Sequence, residues 1–239
     1  MSLPVLVLIH APWETPALVD VALGDIPVER RCVVDEREPA LPRASALGGL
    51  VVMGGPQDAD DDARHPGLAA ERRLLAEATD AGVPTLGVCL GMQLLGLALG
   101  ARLHLRHGVE IGFAPVDGAP GVASDPVLGP MFARPEATFL HWHSDAVELP
   151  AGAELLASTA ATPVQAFRAG SALGVQFHPE ADSALLGAWL ATPEMTRGLG
   201  EGAVRRARED GARFLPELRG PALAGLEAFA SAIRARRER

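Results

Sequence analysis

The 239 residues contain no lysine and no tyrosine; arginine supplies all 21 basic side chains. Without lysine there is no Schiff base, so pyridoxal-phosphate and lysine-imine chemistry are excluded. A Walker-type ATPase is excluded as well, because its phosphate loop needs a lysine. Cysteine is scarce: only Cys32 and Cys89 occur. Two thiols make one bridge at most, so the chain is no disulfide scaffold, and a reducing cytoplasm is the simplest setting. Positive charge is in deficit, with a net charge of −9, which disfavours nucleic acid and anionic membranes as partners. No apolar run approaches the about 20 residues of a membrane-spanning helix. The opening MSLPVLVLIH lacks a basic leader region and reads as a buried strand, not a signal peptide.

What remains is ordinary for a globular chain: 48% hydrophobic and 21% charged residues. One domain over residues 1–239 is expected, with a motif-bearing core of about 3–190 and a helical extension of about 183–239. Leu3–His10 and Gly49–Met53 are continuous apolar runs of the kind found in strands buried on both faces. A strand ending at Val34 and another over Pro84–Val88 join them. Pro66–Ala81 has helical spacing, with Leu68, Leu74, Leu75 and Ala78 on one face, Glu71, Arg72, Arg73 and Glu77 outside, and Gly82 as its cap. Gln93–Leu99 resumes as a helix. Alternating strands and helices predict an α/β fold: a mostly parallel central sheet with helices on both faces, and ligands at the carboxyl ends of its strands. Short strands, some antiparallel, are expected from 101 to 177, and helices over 183–239 with Pro193, Pro216 and Pro221 as breakers. The basic tail Ile233–Arg239 reads as a solvated last turn.

One segment carries chemistry by itself. Pro84–Val88 runs into Gly87-Val-Cys89-Leu-Gly91 and then into a helix. This strand, tight turn and helix form a nucleophile elbow. The glycines leave room where a side chain would strike neighbouring elements, and helix-end N–H groups favour the thiolate. Cys32, in Arg31-Cys-Val-Val, has no such setting and reads as a core strand residue.

A second apolar strand ends in His178-Pro-Glu180. Residues two apart on extended chain project to one side, so Glu180 can orient His178, and His178 can serve Cys89 as base. Gly54-Gly55-Pro56 ends another strand at the same sheet edge; the backbone N–H groups of Gly55 and Leu90 are the candidate oxyanion donors. His141 and His143 share a strand face, but no third ligand is evident and no metal is expected. Trp13, Trp142 and Trp189 read as packing residues, Trp142 also as a candidate for the pocket wall. The acidic run Asp58–Asp62 lacks a calcium-loop pattern and reads as a solvated loop.

Three motifs in this order resemble the class I glutamine amidotransferases: Gly54-Gly55-Pro56, Gly87-Val-Cys89-Leu-Gly91-Met-Gln93 and Gln176-Phe-His178-Pro-Glu180. The resemblance covers roughly residues 3–190. It implies a flavodoxin-like class I glutamine amidotransferase fold and no cofactor. It also implies attack of Cys89 on the side-chain carboxamide of glutamine, through a thioester that releases ammonia and glutamate. By the same resemblance Gly54, Gln93, His143, Ser144 and Asp145 bind substrate. The segments at Glu110–Val116 and His141–Val147 resemble stand-alone, GMP-synthase-like members.

No synthetase module and no linker to one is recognisable, so ammonia would pass to a separate synthetase subunit, or hydrolysis itself is the function. A γ-glutamyl peptidase using the same triad is the alternative. A non-catalytic regulatory module on the same scaffold is another, against which the intact Cys89, His178 and Glu180 argue. Related cysteine hydrolases or chaperone-like proteins usually place histidine directly after the nucleophile, where this chain has Leu90.

Overall fold

The computed structural model describes residues 3–134 and 136–238. The first hundred residues hold β1 (Val5–Leu8), α1 (Leu18–Leu23), β2 (Val28–Arg31), β3 (Gly49–Val52), α2 (Gly67–Asp80), β4 (Thr85–Val88) and α3 (Leu90–Ala98). Short strands follow: β5 (Leu103–His104), β6 (Glu110–Pro115), β7 (Asp117–Gly118), β8 (Thr138–His143), β9 (Ala146–Val147), β10 (Glu154–Ser158), β11 (Ala166–Ala169) and β12 (Ala172–Val175). Helices α4 (Ser183–Ala191), α5 (Pro193–Thr196) and α6 (Glu201–Arg237) come last.

Eight strands form one sheet in the order β2-β1-β3-β4-β12-β11-β10-β7. The first five run parallel, in the doubly wound order of flavodoxin-like sheets. The last three add antiparallel. The four inner parallel strands are fully buried, which is why they read as unbroken apolar runs.

Side chains of β1 alternate between two cores, as a period of two requires. Val5 and Val7 pack with Leu18 and Leu23 of α1 and Leu226, Phe229 and Ile233 of α6. Leu6 and Leu8 pack with Leu68, Leu74 and Leu75 of α2 and Leu94 and Leu95 of α3. The mostly parallel sheet with helices on both faces is thus as expected. A separate antiparallel ribbon pairs β6 with β8. Among the described residues no helix is long and apolar enough to cross a membrane.

Four local expectations need correction. Cys32 is exposed: it lies one residue past β2, the edge strand, whose own residues are exposed or half-buried. Glu71 faces inward and is fully buried, because His10 just beyond β1 meets it at 2.9 Å, and a carboxylate can be buried when paired. Pro216 and Pro221 do not break α6. The carbonyls they leave without a helical donor belong to Ala212 and Glu217, both exposed, so water can satisfy them while the opposite face stays packed.

The basic tail, finally, docks. Ile233 is fully buried, and Arg236 donates to the carbonyls of Leu47, Ala81 and Gly82. The side chain of Ile233 fills the space beside Gly49, where a Cβ would lie 2.7 Å from its Cδ1. Truncating such a side chain costs about 2–5 kcal/mol.

Candidate active site

Strands β1, β3, β4 and β12 are parallel, so their carboxyl ends share one edge of the sheet. The residues that follow them are His10, Gly54 and Gly55, Cys89, and His178. Sequence-distant motifs meet there because topology, not local sequence, aligns the strand ends.

Cys89 adopts φ 52°, a left-handed conformation that is rare outside glycine. It ends β4 and precedes the first residue of α3, Leu90. The turn is tight on both sides. A Cβ at Gly87 would lie 2.5 Å from the carbonyl oxygen of Gly91, and one at Gly91 would overlap the carbonyl of Val52. Helix α3 thus begins three residues earlier than the Gln93 start expected from sequence, directly behind the sulfur. Its first-turn N–H groups have no partners within the helix.

His178 is held from three sides. Its backbone N–H donates to Leu140 on β8 at 2.9 Å. Its Nδ1 bonds Glu180 Oε1 at 2.8 Å. The indole of Trp189 stands edge-on to the imidazole, with ring centroids 4.7 Å apart. Both His178 and Glu180 are buried. Burial by itself would lower the histidine's pKa; the Glu180 carboxylate and the Cys89 sulfur outweigh it and raise the pKa well above the usual value. With Nδ1 engaged, Nε2 is the nitrogen left open, and it has no other hydrogen-bond partner among the described residues.

A cavity of about 190 Å³ opens at this edge, lined by Cys89 and His178 together with Gly55, Gln93, His143, Ser144 and Asp145. Its size is below the roughly 300–1,000 Å³ of drug-sized pockets and suits a small metabolite. Of the remaining expected residues, Glu180 stands behind His178, and Gly54 and Leu90 back the wall. A Cβ at Gly54 would lie 3.5 Å from His178 Cε1, and one at Gly55 2.8 Å from Leu90 Cδ2. The N–H of Gly55 makes no hydrogen bond among the described residues.

Gln93 Nε2 donates to Gln176 Oε1 at 3.2 Å and to the Asp145 carbonyl at 3.4 Å. The Asp145 carboxylate accepts from the Arg106 N–H at 2.8 Å and from Ser144 Oγ, so it also braces the turn at Arg106, whose φ is 54°.

The pairing of β6 with β8 sets Glu110 opposite His143. Glu110, His141 and His143 each bring one potential ligand atom within 4.8 Å of the others. Sequence spacing did not reveal Glu110 as a third donor, because it arrives from another strand. These three could hold a cation, but Glu110 and His143 already engage other groups. Gln165 Nε2 donates to Glu110 Oε2 at 2.7 Å, and His143 Nε2 lies 3.3 Å from the same oxygen. Burial works against the Glu110 charge, but the polar groups of His143, Thr162 and Thr159 beside it hold its pKa down at about 2. Burial takes His141 down to about 4.

Glu14, Trp142, Trp189 and Glu194 also line the cavity. Trp142 is thus part of the cavity wall, and Trp189 lines it as well as packing. Glu14 comes from the loop after β1, whose Trp13 carbonyl accepts from Trp189 Nε1 at 3.0 Å. No motif marks Glu14 in the sequence. Its burial was unpredictable from a stretch that reads as loop.

Comparison with known proteins gives a consistent result. The model of the family "Glutamine amidotransferase class-I" matches residues 27–192. The chain is 37% identical over 144 residues to the GMP synthase [glutamine-hydrolyzing] of Prochlorococcus marinus, covering 58% of this chain and 25% of that protein. It is 33% identical over 162 residues to a separate subunit of the GMP synthase [glutamine-hydrolyzing] of Natronomonas pharaonis, covering 66% of this chain and 78% of that one. It thus spans about a quarter of the full GMP synthase and most of the separate subunit. The crystal structure of a glutamine amido transferase from Methylobacillus flagellatus shares the fold with a TM-score of 0.84 at 22% identity, over 97% of this chain and 96% of that one. With the family model matching well over half of its length, this chain belongs to the class-I glutamine amidotransferase family.

Proposed function

We propose that the chain is a cysteine-dependent amide hydrolase that releases ammonia from the side chain of glutamine. One observation carries this reading: Cys89, in a left-handed turn at a helix N-terminus, shares a small cavity with His178, whose far nitrogen is bonded to a buried carboxylate. That is the nucleophile, base and orienter arrangement.

The reaction we assign to this site follows from the roles of its residues. His178 Nε2 takes the thiol proton as Cys89 Sγ bonds the carboxamide carbon. The carbonyl oxygen gains the negative charge, and the N–H groups of Gly55 and Leu90 are the donors suited to it. The C–N bond then breaks, and the proton held by His178 leaves with the nitrogen as ammonia. Water, deprotonated by His178, adds to the thioester. The S–C bond breaks, the proton returns to sulfur, and glutamate departs. Glu180 keeps the imidazole in one orientation and stabilises its charged form. Gln93, Ser144 and Asp145, which line the cavity, take the amino-acid end of the substrate in this reading, with His143 and Gly54 supporting them.

The curated relatives named as glutamine-hydrolysing favour glutamine as substrate. A separate synthetase subunit is the corresponding partner for the ammonia, and the mechanism requires no cofactor. Glutamate release by wild type and Cys89→Ala, from glutamine and from γ-glutamyl peptides, tests the reading. Cys89-dependent release mainly from glutamine is expected. Release mainly from peptides would make the chain a γ-glutamyl peptidase, and equal release by both proteins would refute the mechanism.

A further inference from the structure

Glu14 is the group in the cavity that the mechanism leaves unused. It is 4% exposed and lines the cavity, and its carboxyl group makes no hydrogen bond or ion pair among the described residues. A buried carboxyl without a donor is costly, so its neighbourhood indicates what should fill the gap. The point where a Cβ of Gly54 would stand is 2.7 Å from Glu14 Oε2 and 3.5 Å from His178 Cε1. Glu14 Oε2 is therefore within about 6 Å of the imidazole Cε1, close enough for the two groups to influence each other's charge. Any nitrogen that His178 protonates must come within about 3 Å of Nε2, which sets the leaving group against the wall that Glu14 forms. Asp58 and Glu194 line the same cavity, and among the described residues no arginine does.

We propose that Glu14 is a specificity-determining residue that receives the departing amine. It selects γ-glutamyl amides whose leaving group is ammonia or a cationic amine, against those whose leaving group carries a carboxylate, as amino-acid leaving groups do. This rests on the Cys89–His178 reading above and narrows it: an α-carboxylate next to the scissile nitrogen would face Glu14 at short range, where like charges repel strongly.

Charge on Glu14 depends on pH. Burial lifts its carboxyl to about 7, Glu180 pushes the same way, and His178 and His10 oppose it. Selection is thus strongest above about pH 7, where Glu14 is ionised, and fades below it. His178, His143, Asp58, Asp145 and Glu194 line this space and Glu180 and His10 act on Glu14 from behind it; a Glu14→Gln variant controls for their titration because it removes only the Glu14 charge.

The test compares kcat/KM for glutamine, for the γ-glutamyl monoamide of ethylenediamine and for γ-glutamylglycine. Wild type at about pH 8 should prefer the cationic amide over the anionic one by about tenfold or more. Glu14→Gln should shrink that ratio by about tenfold, and wild type at about pH 6 should approach the variant. Binding of the intact amides to Cys89→Ala, with and without Glu14→Gln, supplies a readout free of turnover. A ratio unchanged by Glu14→Gln, or a preference for γ-glutamylglycine, overturns the proposal. Glu14-dependent binding without any glutamate release would sink the catalytic reading and leave the selectivity standing. Neither binding nor turnover would overturn both.

Discussion

Two buried histidine–glutamate pairs stand at the same edge of the sheet. His178 Nδ1 meets Glu180 Oε1 at 2.8 Å, and His10 Nε2 meets Glu71 Oε2 at 2.9 Å. In both, burial works against the imidazolium and the carboxylate overrides it, so that both histidines titrate above the usual value. The difference is at the second nitrogen. His10 Nδ1 is 3.0 Å from the Gly54 carbonyl. Two acceptors, a carboxylate and a carbonyl, require both ring nitrogens to donate. His10 is then an imidazolium with no lone pair to offer and cannot act as a base. His178 Nε2 has no such acceptor, and His178 lines the cavity with Cys89. A His–Glu pair acts in chemistry only if one nitrogen is left over; otherwise it is a clamp, here tying α2 to β1 and to the Gly54–Gly55 turn.

The sharpest way to break this contrast is to remove each imidazole in turn. His178→Ala should lower glutamine turnover by about 10⁴-fold, the scale of losing a general base from a nucleophile–base unit. His10→Gln should keep kcat within about tenfold of wild type, because the residue only supports the turn. Both rates are measured per folded molecule. Comparable losses in the two variants would show that His10 belongs to the chemistry.

The next largest effect is on stability. Glu71→Gln should cost about 3–5 kcal/mol in urea unfolding, as expected for stripping one partner from a buried pair, while activity at low urea persists. The sign of its pH dependence is fixed. The folded pKa of His10 is raised above its unfolded value, so the pair's contribution is full below about pH 6.5 and is lost as pH rises through the folded pKa. The cost of Glu71→Gln should therefore shrink from acidic to alkaline buffer. A cost independent of pH would mean that His10 is neutral in the folded protein.

The two pairs also differ in how far they were legible beforehand. His178 and Glu180 are two residues apart at the end of an apolar strand, and Cys89 lies in a five-residue motif; short-range geometry reveals both. Glu71 and His10 are 61 positions apart. On α2 the apolar residues alone suggested which face is buried, and a charged side chain at the margin of that face was assigned outward. Its partner comes from a strand end that only the sheet order brings near. Glu14 and Glu110 were hidden for the same reason: each is placed by a loop or a strand register, not by neighbours in sequence. The strands themselves were readable because burial on both faces leaves no polar position. Pro216 misled because a helix can carry proline on an exposed side when its other face is anchored.

The finest test separates the two functions of a glutamate within one pair. Glu180→Gln keeps the shape and a hydrogen-bonding atom beside His178 Nδ1 but removes the charge. An orienter is more replaceable than a base, so turnover should fall by about 10²-fold, well short of the loss for His178→Ala. Glu180 is the strongest of the influences that raise the His178 pKa, so its loss lowers that pKa. The acidic limb of the kcat/KM profile, which reports the histidine losing its proton, should then move to lower pH. If Glu180 only packed against the ring, the variant would lose rate while that limb stayed in place.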